Sequence, residues 1–415
     1  MDIAAVRQFG LPPPPTVQAS QPIMRGLQRK SLWLLAAASP FVFIEPSPYE
    51  FMFLAVFFVF IATGLRFSAA SMALIAILVI LNLGYSVSAI GFFEKQEVLY
   101  WILTSWYLAV TAIFFALVLG DHTPERVDAL FRGYRFAAVV VSILAVAGYF
   151  SLIPGATEQL TLYGRARGTF KDPNVLGGFL ILPALYCLQK LIDESFWRAV
   201  RNGVALAIIF LAVLLSLSRA AWGILALTSV ALVALNFLTT TSHLKKIRIL
   251  VLVMLVAALG VATLSVLLSF DSVANIFKER ANLFQSYDSG RFGRFGRHIL
   301  GAEMALDYPF GIGPLQFNRY FPEDTHNSFL NAFMSGGWLS GVTYPVLIAV
   351  TFLLALKGLL ADLPWSQASK VVFVAFTGLA AESLIIDTDH WRHFFMVIGV
   401  VWGLSIAGNR WTGVP

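Results

Sequence analysis

Residues 203–240 read GVALAIIFLAVLLSLSRAAWGILALTSVALVALNFLTT, and Arg219 is the one charged side chain among them. On either side of it an apolar run approaches the roughly 20 residues with which a helix crosses the hydrocarbon core of a bilayer. The pattern repeats outward in both directions. Charge-free or nearly charge-free runs lie near 31–44, 51–65, 68–92, 100–119, 136–154, 174–189, 249–270, 329–356, 371–388 and 394–408. Over all 415 residues, 58% are hydrophobic and 13% charged, where soluble chains run at about half apolar and about a quarter charged. This composition excludes a soluble globular enzyme, a disordered chain and a repeat solenoid. It predicts an all-α integral membrane protein with about 12 transmembrane helices. The lone Cys187 excludes an intrachain disulfide and a cysteine-based zinc or iron–sulfur site.

The net charge of +6 is here a topology signal and not a sign of nucleic-acid binding. The tail 1–30 carries Arg7, Arg25, Arg29 and Lys30, with a Pro-rich run at 11–15 that reads as an extended cytoplasmic segment. It leads into an uncleaved first helix, because no convincing cleavage site follows. If the chain starts inside, Arg66, Arg126, Arg132, Arg135, Lys190, Arg198, Arg201, Lys245, Lys246, Arg248, Lys357, Lys370 and Arg410 all fall on the cytoplasmic side. Both termini are then cytoplasmic. The expected organisation is a tail at 1–30, helices 1–9 over 31–270, a periplasmic loop at 271–328, helices 10–12 over 329–408 and a second tail at 409–415. The loop is the one long polar insertion. It contains a helical pattern near 291–307, and a long ordered loop on a membrane scaffold is a natural place for function.

Chemistry-bearing residues gather on the outer side. Gly164-Arg165-Ala-Arg167 precedes Lys171-Asp172-Pro173-Asn174, where Asp172 suits an N-cap and Pro173 a first helical position. A helix start beside Arg165 and Arg167 attracts anions, although capping with interfacial cations explains the same residues. Arg219 sits at a span boundary, where arginines commonly reach out to the interface. Arg291, Arg294 and Arg297 are spaced i, i+3, i+6, a single cationic stripe on a helix. A solvated face is the plain reading and a phosphate clamp the sharper one, since the guanidinium fork matches phosphate oxygens. His326, in Asp324-Thr325-His326-Asn327, closes the basic loop and carries the side chain that titrates nearest neutral pH. Glu382 lies inside an apolar run, where acids are functional candidates. Asp387, Asp389, His390 and His393 have ligand types suited to a divalent metal, but their spacing matches no metal motif.

Four segments in this order carry a resemblance: Gly168-Thr-Phe-Lys-Asp172-Pro-Asn174-Val-Leu-Gly177, Ser218-Arg219, Gly290-Arg291 leading to Pro309-Phe-Gly311-Ile-Gly313-Pro314, and His326-Asn-Ser-Phe-Leu330. The chain resembles the O-antigen ligase and O-antigen polymerase superfamily of bacterial inner-membrane glycosyltransferases over about 160–345. The resemblance implies a donor glycan on undecaprenyl pyrophosphate and an acceptor that is either a lipid A-core sugar or another lipid-linked glycan. It also implies a periplasmic active site, with no metal and no other cofactor. In that setting Arg219 and Arg291, with Arg294, Arg297, Arg165 and Arg167 as further contacts, meet the charge developing on the leaving pyrophosphate. His326 is the candidate base, and Glu382 orients a basic partner or the acceptor. The competing readings are a repeat-unit polymerase, a transporter of lipid-linked sugars and a metal-dependent glycosyltransferase built on Asp387 and Asp389. A transporter predicts internal repeats and paired broken helices, and no repeat is visible.

Overall fold

The structure is a computed structural model and describes residues 15–44, 46–281 and 288–413. Among these residues, helices follow the apolar runs closely. They are α1 (Pro15–Ala38), α2 (Pro48–Thr63), α3 (Ala69–Ser88), α4 (Gln96–Leu119), α5 (Thr123–Tyr149), α6 (Pro173–Asp193) and α7 (Phe196–Leu215). Then come α8 (Arg219–Thr239), α9 (His243–Leu267), α10 (Asp271–Ala281), α11 (Arg294–Asp307), α12 (Ser328–Leu360), α13 (Ser366–Glu382) and α14 (Arg392–Thr412). The one sheet among the described residues pairs two-residue strands antiparallel, Thr161–Leu162 with Arg165–Ala166. The protein is an all-α membrane protein.

By length and apolar character, nine of the described helices suffice to cross a bilayer: α3 to α9, α12 and α14. The other three expected spans are helical too. However, α2 has 16 residues and α13 has 17, and α1 is mostly polar in its first half. Among the described residues, length and composition therefore establish nine of the twelve expected spans and leave the full count unconfirmed. Residues 1–14 of the expected tail lie outside the described residues. The rest of that tail is helical, because Pro15 can open a helix at no cost in hydrogen bonds. At the other end α14 runs on to Thr412, past the expected boundary at 408.

Local signals set the helix starts. Asp172 accepts from the Asn174 amide ahead of Pro173. Ser218 accepts from Ala221, and Asn327 from Leu330. Each of these caps takes up a donor that helix geometry leaves orphaned. The bundle is built around α6, with 89% of its apolar window buried, and α9 lies at its margin, with 6%. Along the core, α14 packs on α4, α12 on α3, α1 on α5 and α6 on α7. With lipid outside, such packing relies on small residues and buried polar pairs. Gly84 on α3 and Gly336 on α12 both meet Ser340, whose hydroxyl donates to the Leu81 carbonyl. Gln189, Asn236 and Gln367 join α6, α8 and α13.

Helix α12 is broken at Gly337, whose φ of 61° and ψ of −161° are not helical. The segment Pro309-Phe-Gly311-Ile-Gly313 plugs the break. The amides of Ile312 and Gly313 donate to the Met334 carbonyl at 2.8 and 3.2 Å, and the Trp338 amide donates to the Pro309 carbonyl at 2.9 Å. Backbone groups freed by a broken membrane helix must find partners inside the protein. A Cβ at Gly311 would collide with the Gly337 amide, so these glycines permit the close backbone approach. The plug fixes the first turns of α12, and with them the segment that carries His326.

Candidate functional site

His326 stands in the tight link between the long loop and α12, with φ at +46°. This left-handed conformation costs a non-glycine residue about 1–3 kcal/mol and persists only where the surroundings hold it. Asp387, in the link between α13 and α14, does the holding. Its carboxylate accepts from the Thr325 hydroxyl at 2.9 Å, the His326 amide at 3.1 Å and the Asn327 amide at 2.9 Å. The same carboxylate lies 3.7 Å from Nδ1 of His326, while Glu323 lies 3.8 Å from Nε2. Burial lowers the His326 pKa below the ordinary imidazole value and Arg294 adds to this, with Glu323 opposing. The ring is thus neutral near pH 7 and free to accept a proton, with a carboxylate near each nitrogen to stabilise the cation that would form. Burial, followed by the Asp389 charge, pushes Asp387 upward, and the Thr325 and Asn327 hydrogen bonds hold it down.

Helix α11 packs beside this link. Arg297 is only 2% exposed and donates to Glu323 at 2.7 Å and to the Phe292 carbonyl at 2.9 Å. Burial lowers the His298 pKa, and the nearby backbone of Thr325 and His326 opposes that shift. From the start of α8, Arg219 reaches across to Asp288 at 2.7 Å, and Arg294 approaches the other oxygen of that carboxylate at 3.4 Å. Two guanidinium groups from distant parts of the chain therefore converge on one oxyanion. Arg291 precedes α11 in the turn at 288–293, is exposed, and lies 5.7 Å over the Phe292 ring.

The expected single stripe is thus corrected. Helix α11 begins only at Arg294, leaving Arg291 outside it, and its two arginines meet acids from other segments, Asp288 and Glu323. Arg165 lies at the same end of the bundle, donating to the Ser216 carbonyl and to Asn174 at 2.9 Å each. Arg167 points elsewhere and is committed to the carbonyls of Glu158, Gln159 and Lys171. Glu382 is fully buried in α13, its carboxylate oxygens without hydrogen-bond partners among the described residues. It is not brought to His326. Asp387, Asp389 and His390 line one cavity and His393 another, and among the described residues no group of three or more His, Cys, Asp or Glu side chains could hold a metal ion.

A cavity of about 470 Å³ is bordered by Asp324 and Asp387, which flank His326, although His326 itself does not line it. Its walls come from the start of α4, the plug segment, the start of α12 and the 387–392 link. A smaller cavity of about 150 Å³, lined by Lys171, Phe170, Phe179 and His393, shares His390 and Arg392 with the first. Arg392 is tied to Glu50.

Residues 204–344 match the family model of the O-antigen ligases. The match spans about a third of the chain and supports a place in the O-antigen ligase and polymerase superfamily. The matched segment runs from α7 into the broken α12 and contains Arg219, Asp288, all of α11 and His326. Arg165, Glu382 and Asp387 lie outside it. The chain matches no curated protein.

Sequence reasoning missed Asp288 and Glu323, because an acid in a polar loop carries no mark of its eventual partner. It assigned Asp387 only to a possible metal. Its position opposite a histidine-bearing helix start, across the α12–α13 pair, appears only in three dimensions. Glu97, Tyr100 and Trp101 had no signal at all, since aromatic residues at a span boundary are ordinary interfacial anchors.

Proposed function

We propose that this protein is a periplasm-facing glycosyltransferase. It moves a glycan from undecaprenyl pyrophosphate to a sugar hydroxyl of the lipid A core, as an O-antigen ligase. The observation that carries the reading is a neutral His326 beside converging arginines, inside the segment that matches the O-antigen ligase family. The acceptor oxygen attacks the anomeric carbon and loses its proton to His326. The bond from that carbon to the phosphate oxygen breaks, and the pyrophosphate leaves with the electron pair. Positive charge fixed where the leaving group gains negative charge is the main source of such catalysis. Arg219, Arg294 and Arg291 take that part, and Arg165 supports the start of α8. Arg297, buried and tied to Glu323, positions α11 against the His326 link.

The orientation follows from charge. Arg126, Asp193, Arg135, Lys245, Lys357 and Arg410 make their contacts at the end of the bundle opposite His326. Basic residues concentrate on cytoplasmic connections in inner-membrane proteins, so His326 faces the periplasm. The test is the lipopolysaccharide banding of a deletion strain, with complementation by the wild-type gene. Loss of all capped core with accumulation of lipid-linked polymer supports the ligase. Caps of a single repeat indicate the polymerase, and unchanged lipopolysaccharide refutes both.

A further inference from the structure

The 470 Å³ cavity bordered by Asp324 and Asp387 differs in character from the arginine side of the site. Its carboxyl groups are Glu97, Asp324, Asp387 and Asp389, and its one guanidinium, Arg392, is already paired with Glu50. Aromatic surface comes from Tyr100 and Trp101. Trp101 is held rigidly, with its ring 4.0 Å from His390 on one side and 4.9 Å from Tyr85, edge to face, on another. The Trp101 carbonyl lies 3.3 Å from His390 Nε2, and Asp389, bonded by Asn331 at 2.7 Å, lies 3.6 Å from His390 Nδ1. A fixed aromatic wall with a few placed polar groups is the common form of a small-molecule site.

We infer that this cavity binds the terminal sugar of the acceptor and selects an uncharged or amino-bearing sugar over an anionic one. The inference rests on the glycosyltransferase reading of the site. Carboxylates only accept hydrogen bonds, so they suit the many hydroxyl donors of a sugar and any ammonium group on it. They repel a carboxylate or phosphate on the same ring. A pyrophosphate is therefore kept on the arginine side, and an acceptor sugar held in the cavity reaches toward His326 past Asp387, which lines the cavity and lies 3.7 Å from the His326 ring. Rigid packing of Trp101 means that little side-chain freedom is lost on binding.

The test uses the full-length protein in nanodiscs and three free trisaccharides, with a terminal neutral hexose, its 2-amino analogue and its uronate analogue. Saturation-transfer NMR measures binding without any donor. At low salt the uronate should bind at least about tenfold more weakly than the other two, a gap that added salt narrows. In the Glu97→Gln/Asp324→Asn double variant the gap should shrink to about threefold, as two of four like charges are removed. Tyr100→Ala should weaken the neutral and amino sugars by about tenfold, and Trp101→Phe, which keeps the packing, should weaken them less. Equal binding of all three sugars, or an unchanged gap in the double variant, overturns the inference. Selective binding without transfer from a lipid-linked donor keeps the cavity assignment and removes the glycosyltransferase reading. Transfer that proceeds equally to uronate acceptors does the reverse.

Discussion

Replacing Asp387 by Asn tests whether His326 is held in a catalytic position or merely packed. In the carboxylate, one oxygen accepts from both Thr325 and Asn327 while the other accepts from the His326 amide. An asparagine can keep the first pair of bonds but turns an NH2 group toward the His326 amide, setting donor against donor. A hydrogen bond to a charged group is worth about 1.5–3 kcal/mol, and each ~1.4 kcal/mol is a factor of ten. Because His326 is held at a positive φ, the lost bond falls on the placement of the ring itself. Turnover per folded molecule should drop roughly 10- to 100-fold, with the amount of inserted protein little changed. The pH profile separates placement from general damage. With His326 as the proposed base, the rate should rise with pH through a pKa that burial has lowered, then level off. Removing the negative charge 3.7 Å from Nδ1 makes the imidazolium less stable. The acid limb should therefore move to still lower pH, on the order of one unit. Purified enzyme with lipid-linked donor and acceptor, assayed between pH 5 and pH 8 in the usual window for histidine titration, supplies both readouts. Unchanged turnover in Asp387→Asn, or a drop with the acid limb unmoved, would refute the positioning argument.

His326→Ala should slow transfer by roughly 10² to 10⁴-fold while leaving donor binding intact. Near-normal turnover per folded molecule would remove His326 from the mechanism. Arg219→Lys and Arg291→Lys should not restore activity, because a point charge cannot reproduce the planar fork, and each should weaken donor binding. Arg297→Met should instead reduce the yield of folded protein, because it removes the bonds by which the buried Arg297 holds α11 to Glu323 and the Phe292 carbonyl, and its donor affinity per folded molecule should stay normal. For topology, in a Cys187→Ser background, a cysteine at the exposed Phe310 should react with an impermeant maleimide from the periplasm. One at the exposed Leu244 should react only after the inner membrane is opened, and the opposite pattern would invert the whole orientation.

The sequence alone determined that the chain is a helical membrane protein, because a long run without charge has one stable home and one backbone geometry there. It also marked the helix starts at Asp172, Ser218 and Asn327, where the capping residue and the donor it accepts are three residues apart or fewer. The motifs around Arg219, Arg291 and His326 were likewise legible, each being carried by neighbours in the chain. Only the tertiary structure decided which arginine faces what. Arg294 and Arg297 have the same residue type and the same helix, yet Asp288 and Glu323 reach them from separate segments. It also decided the break at Gly337. A Gly-Gly pair inside an apolar run reads as ordinary helix packing until the Pro309–Gly313 segment, distant in sequence, supplies the hydrogen bonds that make the break tolerable. The Asp387 anchor and the cavity wall of Tyr100 and Trp101 belong to the same class. Short-range patterns encode hydrogen bonds and burial that close within a few residues, whereas these features are made by groups that meet only after α4, α12 and the α13–α14 link pack together.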